Sequence, residues 1–192
     1  MTKIRWAMVG TGLMADLIVR DFALCDNTEL VAMITRDAKR AEPKFAEWGI
    51  APVRLIESYE EALADASIDL IYVAAPHSEH HWMTKAALEA GKHVLCEKAF
   101  MMDAAEAREV VELARAKGLF LMEALWTKFN PLMNDLQRRI AAGEIGQLKL
   151  VETHFGFNRP YDESHRLFDA KLGGGSTLDQ GIYTTSIIDW FA

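Results

Sequence analysis

The sequence predicts an α/β chain, a Rossmann-type doubly wound parallel sheet followed by the start of an α+β second domain. Three observations carry that class. A β-forming run at residues 4–9 leads at once into a glycine turn, Gly10-Thr11-Gly12-Leu13-Met14-Ala15. Short apolar runs then alternate with helical stretches, as a parallel sheet with helical crossovers requires. Beyond residue 124 the alternation stops.

The first unit reads as strand, turn, helix, strand. In its G-x-G-x-x-A turn, Gly10 permits the tight bend and Gly12 lets a pyrophosphate approach the backbone. Ala15 lets the helix pack close to the sheet. The helix start at Leu13 and Met14 offers N–H groups and a positive dipole end to phosphates. A helix is expected over 15–24 and a second strand over 29–35. An acidic residue at the end of that strand would hold a ribose 2′-hydroxyl and repel a 2′-phosphate. This chain has Arg36 there, with Lys39 and Arg40 on the next turn, and Asp37 one place late, where it is placed to cap that turn. Cationic donors in this slot fit a 2′-phosphate, so NADP is the expected cofactor, with NAD possible.

The alternation continues with a helix over 38–48 ending at Gly49, a short strand over 53–56, a helix over 58–64 and an apolar strand over 69–75. A helix over 78–90 stops at Gly91, and a fifth strand covers 93–96. Asp103-x-x-Glu106 has the form of a capping box, Ala107, Val110, Val111 and Ala114 mark a buried helical face, and Gly118 ends that helix. A sixth strand over 119–123 completes a dinucleotide-binding domain, residues 1–124. Residues 125–192 read as an incomplete substrate or dimerisation domain. It has a helix over 131–142, a long alternating strand over 147–157, a polar loop over 158–172, three glycines and a last helix over 176–191. One strand and two helices cannot bury a sheet of their own.

Composition narrows the function. The chain has 192 residues with a formal net charge of −7, 51% hydrophobic and 26% charged residues. With no long basic run, a nucleic-acid partner is not expected. No apolar stretch is long enough to cross a membrane, and the chain enters its first strand directly, without a signal peptide. Cys25 and Cys96 fall in helix and strand patterns, which fits a reduced, cytoplasmic setting better than a disulfide framework.

Four groups carry chemistry. Glu97-Lys98 lies just past the fifth strand, at the carboxyl edge where open α/β sheets bind ligands. A lysine there can hold a substrate hydroxyl or help remove its proton, although such a lysine is more often a surface residue. Asp179 and Tyr183 are four residues apart and are expected on one face of the last helix. Tyr183 can exchange a proton with an alcohol or carbonyl oxygen and Asp179 can orient the partner, although an incidental polar pair has the same spacing. His77, His80 and His81 follow Pro76. With no fourth ligand cluster in the sequence, no metal is expected, and a place beside the cofactor suits them better.

Taken together, these stretches resemble the Gfo/Idh/MocA oxidoreductase family over the whole chain. The segments that carry the likeness are Val9-Gly10-Thr11-Gly12, Ala75-Pro76-His77-Ser78-Glu79-His80, the run from Ala90-Gly91 to Glu97-Lys98, and the run from Gly173 to Tyr183. Residues 122–129 resemble the branch containing dimeric dihydrodiol dehydrogenases and NADP-linked xylose dehydrogenases. The resemblance implies that Lys98 is the substrate-binding catalytic lysine, Asp179 its partner and Tyr183 the proton-transferring residue. It places His80 at the cofactor, with Gly10, Thr11, Gly12, Leu13, Met14, Arg36, Arg40, Pro76, His77, Glu97 and Lys98 completing the cofactor set. The chain departs from the family at Ala99, where the family carries proline, and in length, because the family's second domain normally continues well past residue 192. The implied function is NADP-dependent hydride transfer to or from a secondary alcohol or carbonyl of a sugar or cyclic diol, by a homodimer or higher homo-oligomer. The alternative is a truncated, non-catalytic nucleotide-binding chain or fragment.

Overall fold

Strand β1 (Ile4–Val9) buries Trp6, Ala7, Met8 and Val9 in succession, so both of its faces are covered. That is the signature of a central strand with helices above and below. In the computed structural model, which describes residues 3–22 and 24–191, the chain continues through α1 (Leu13–Phe22), β2 (Thr28–Ile34), α2 (Ala38–Ala41), α3 (Lys44–Trp48) and β3 (Arg54–Ile56). Next come α4 (Tyr59–Ala64), β4 (Leu70–Val73), α5 (His77–Glu89), β5 (His93–Cys96), α6 (Ala104–Lys117) and β6 (Leu121–Glu123). The six strands pair in parallel in the order β3-β2-β1-β4-β5-β6. The chain leaves β1 towards one edge of the sheet and leaves β4 towards the other. The carboxyl ends of these two neighbours therefore flank a crevice, the switch point at which such sheets take ligands.

Side chains alternating across the sheet build the core. Ala7, Ile71, Val73 and Val94 pack with Ala87 and Leu88 of α5 and Val110 and Ala114 of α6. Each fully buried aliphatic side chain contributes about 1.5–3 kcal/mol. Local signals set the helix ends. Asp103 accepts from the N–H groups of Ala105 and Glu106 at 2.7 and 2.9 Å, and Gly118 closes α6 with φ +65°. The Glu106 carboxylate reaches the N–H of Met102 at 3.0 Å, one residue before the cap, so the capping box closes one place wide.

The structure corrects the expectation for residues 38–48. Pro43, which has no N–H to continue a helix, divides that stretch into α2 and α3. Ala23, inside the stretch expected to be helical over 15–24, lies outside the described residues, and α1 is described as far as Phe22.

The chain divides into two compact units, Met1–Glu123 and Ala124–Ala192. The second has a 3-10 turn (Trp126–Phe129), α7 (Pro131–Ala141), a second 3-10 turn (Ala170–Leu172), α8 (Ser176–Asp179) and α9 (Gly181–Phe191). Two expectations fail here. Residues 147–157 form no strand among the described residues, because a strand exists only through a ladder and no neighbouring segment supplies one. The helix expected over 176–191 is broken at Gln180, whose φ and ψ are −116° and −37°, ahead of the poor helix former Gly181. Gly174 is obligatory in this unit. A side-chain carbon there would lie 2.7–2.9 Å from backbone atoms of Arg166 and Asp169.

Candidate functional site

The turn after β1 holds two glycines with opposite requirements. Gly10 has φ +91°, its N–H donates to Ile34 O at 2.8 Å, and a Cβ there would meet Ala74 O at 3.0 Å. A Cβ at Gly12 would meet nothing within 4 Å. The fold therefore demands glycine at position 10, whereas the space over Gly12 is open to solvent. Behind them Ala15 is fully buried, Thr11 and Met14 are half-buried and Leu13 is exposed. The first N–H groups of α1 have no intrahelical acceptor, as at any helix start, and lie at the crevice end of β1. An open backbone face beside such donors fits a pyrophosphate.

At the end of β2, Arg36 and Arg40 are exposed, and neither guanidinium has a hydrogen bond or ion pair among the described residues. Asp37 is turned to the backbone, where it accepts from Arg40 N at 3.0 Å as the cap of α2. Its own N–H donates to Thr35 Oγ1 at 3.3 Å. Asp37 thus works as a helix cap, Glu57 Oε1 lies 3.4 Å from Ala38 N of the same turn, and the two guanidinium groups are available to an anion.

The histidines after β4 diverge. Pro76 caps α5 with φ −57° and ψ 151°, His77 is buried beside it, and His81 lies 2.8 Å from Glu109 Oε2 on the outer face. No group of three or more His, Cys, Asp or Glu among the described residues is arranged to hold a metal ion. His80 is fully buried, with Nδ1 2.9 Å from Ala99 O and Nε2 2.9 Å from Ala75 O. Phe100 O is a third carbonyl at the ring, 3.2 Å from Nδ1. The ring ties the loop after β4 to the loop after β5. Burial lowers its pKa below the usual histidine value, against the opposing pull of the carbonyls.

Lys98 sits on the turn after β5, and buried polar groups fasten that turn. Tyr72 donates its hydroxyl to Glu97 Oε1, and Lys98 N donates to Glu97 Oε2 at 3.2 Å. Phe100 N donates to Glu123 Oε1 at 2.9 Å. The Lys98–Ala99 peptide bond is cis. Burial first, and the adjacent Glu97 carboxylate next, push the Tyr72 hydroxyl far above its ordinary pKa, so it remains a donor. Sequence reasoning missed Tyr72. The available signal was a tyrosine inside an otherwise aliphatic buried strand, where its hydroxyl must find a partner.

In the second unit Asp179 is buried, with Arg166 Nη1 3.3 Å from its Oδ1. It lines a pocket of about 220 Å³ together with Phe157, Asn158, Arg159, Phe168 and Gln180. Tyr183 accepts a hydrogen bond from Trp126 Nε1 at 3.1 Å, and its ring lies 5.0 Å from that of Phe155. Asp179 ends α8 and Tyr183 lies in α9, so the two stand on separate helices rather than on one helix face.

Comparison with known proteins adds to this geometry. Residues 4–125 match an oxidoreductase family described as having an NAD-binding Rossmann fold (GFO/IDH/MocA), and residues 133–192 match its C-terminal domain. Among curated relatives, the D-xylose 1-dehydrogenase (NADP(+)) of Hypocrea jecorina is 39% identical, covering 94% of this chain and 51% of its own length. The trans-1,2-dihydrobenzene-1,2-diol dehydrogenase of Mus musculus is 39% identical, covering 96% of this chain and 55% of its own length. The chain thus spans about half the length of the curated relatives it matches. Among solved structures, the aldose-aldose oxidoreductase of Caulobacter crescentus complexed with glycerol superposes with a TM-score of 0.87 at 26% identity, over 98% of this chain and 57% of that one. A 3-ketoreductase of Actinomadura kijaniata in complex with NADP and TDP-benzene gives 0.81 at 27% identity, over 95% of this chain and 55% of that one.

Proposed function

We propose that this chain, which belongs to the Gfo/Idh/MocA oxidoreductase family, is an NADP-dependent dehydrogenase acting on a secondary alcohol or carbonyl of a sugar or cyclic diol. The observation that carries the reading is the open backbone face over Gly12, at the start of α1, with the unengaged cations Arg36 and Arg40 at the end of β2. The names of the xylose and dihydrodiol dehydrogenases supply the substrate class.

Gly10, Thr11, Gly12, Leu13 and Met14 would hold the pyrophosphate, Arg36 and Arg40 the 2′-phosphate, and Pro76, His77 and Glu97 the crevice side of the cofactor. His80 supports that side from below. When bound, NADP supplies the hydride chemistry, and NAD is the weaker ligand in this reading. Lys98 donates a hydrogen bond to the reacting oxygen of the substrate. Tyr183 takes or gives the hydroxyl proton, and the Trp126 N–H that donates to its oxygen holds the hydroxyl in place. Asp179, held by Arg166, orients the polar groups around it.

Residues 1–124 are assigned to dinucleotide binding and 125–192 to substrate binding and self-association. A reduced, cytoplasmic setting fits the free thiols of Cys25 and Cys96. Turnover of NADPH and NADP with a panel of sugars and cyclic diols tests the reading. Tight nucleotide binding with no turnover on any of them would instead favour a chain that binds nucleotide without catalysis.

A further inference from the structure

We propose that Tyr72 is a positioning residue for Lys98, acting through the Glu97 carboxylate. The inference rests on the reading of Lys98 as the group that holds the substrate oxygen. The turn 97–100 is tied at its downstream end by His80, through Ala99 O and Phe100 O, and by Glu123, through Phe100 N. At its upstream end the tie is the buried Glu97 carboxylate, which accepts from Tyr72 on one oxygen and from the Lys98 N–H on the other. Any rotation of that carboxylate therefore moves the peptide leading into Lys98.

Tyr72 is suited to hold the carboxylate still. It lies on β4, in register with Leu95 of β5, two residues before Glu97. Only 1% of it is exposed, and its ring lies 6.1 Å from that of Phe22 and 6.3 Å from that of Trp6. The phenol is thus fixed by the sheet and by an aromatic cluster, neither of which can follow a shift of the turn. A phenylalanine would fill the same aromatic space and leave a buried carboxylate short of one donor, a loss felt mainly by a charged acceptor.

The test is Tyr72→Phe, read by hydrogen exchange and by steady-state kinetics. Exchange over residues 97–101 is expected to rise about tenfold, the lower end of what one hydrogen bond to a charged group confers, with Ile4–Val9 unchanged. With turnover, kcat should fall about tenfold at unchanged NADPH affinity. The acid limb of its pH profile should move to higher pH, because a carboxylate that loses a donor protonates more readily. Glu97→Gln, whose single carbonyl oxygen cannot accept from both Tyr72 and the Lys98 N–H, should likewise raise exchange over 97–101, and should abolish that acid limb. It carries the test should Tyr72→Phe not fold. Unchanged exchange at 97–101, a rise spread equally over β1 and β4, or a wild-type acid limb in Glu97→Gln would overturn the proposal. Absence of turnover in the wild-type chain would sink the dehydrogenase reading alone, and the exchange arm would still decide the role of Tyr72.

Discussion

A side-chain carbon at Gly10 would stand 3.0 Å from the carbonyl oxygen of Ala74, where the turn after β1 meets the turn after β4. The contact joins the two strand ends that flank the switch point, and it separates the two glycines of the turn by purpose. Gly10→Ala forces both a close contact and a φ of +91°, so it should destabilise the chain by about 1–3 kcal/mol, measured by denaturant melts. Gly12→Ala meets no protein atom and should melt as wild type while losing most of its NADPH affinity. Equal melting losses for both would place the role of Gly12 in folding.

Arg36 and Arg40 should set the choice of cofactor. One charge-assisted pair to the 2′-phosphate is worth roughly 1.5–3 kcal/mol, so Arg36→Ala should weaken NADPH about tenfold or more and leave NADH nearly unchanged. Fluorescence titration of both nucleotides decides it. Equal affinities in the wild type, or an undiminished preference for NADPH in the variant, would count against the assignment.

Lys98→Met and Tyr183→Phe should each lower kcat by roughly 10²-fold or more, the range of positioned proton-transfer groups, with NADPH affinity near wild type. Tyr183→Phe keeps the ring that packs on Phe155 and Trp126, so its fold should be intact. Parallel loss of nucleotide binding in either variant would make that residue structural.

Asp69 links the fold to pH. It accepts from Arg5 N and Nε at 2.9 Å each and from Nη2 at 2.6 Å, and the Arg5 side-chain hydrogen bonds are the main cause that lowers its pKa from 3.8 to about 2. The folded pKa lies below the unfolded one, so the unfolded chain binds more protons on acidification. The stabilisation is complete above 3.8 and is lost as pH falls towards about 2. Both side chains are about one-third exposed, so solvent screening keeps the effect small. Acid titration of stability should show a steeper fall over this window in the wild type than in Asp69→Asn.

What was legible in the sequence was mostly what is decided locally. Asp103 and Gly118 act through residues two to four away, and Gly10 through its own positive φ as well as its distant contact with Ala74. The parallel pairing of the strands follows from alternation and crossover length. The tie between Tyr72 and Glu97 spans 25 residues of sequence and exists only because β4 and β5 are neighbours. The pairing of Arg166 with Asp179 is equally non-local, and the break at Gln180 undid the shared face inferred from spacing alone. The carbonyl contacts of both His80 ring nitrogens depend on burial, which spacing does not report.

Residues 147–157 alternate apolar and polar side chains as a strand does, yet have no ladder among the described residues. Leu150 is 71% exposed and Phe157 53%. A segment of strand-like pattern with unsatisfied N–H and C=O groups and exposed apolar side chains is a template for another chain. Pairing with a second copy would satisfy both the backbone and the apolar face. The expected outcome is a mass above the monomer in light scattering, with hydrogen-exchange protection at 147–157 that rises with protein concentration. Protection in β1, which is already laddered on both sides, should stay constant. A monomer at every concentration, with 147–157 exchanging at the rate of free peptide throughout, would show that this segment recruits no second copy.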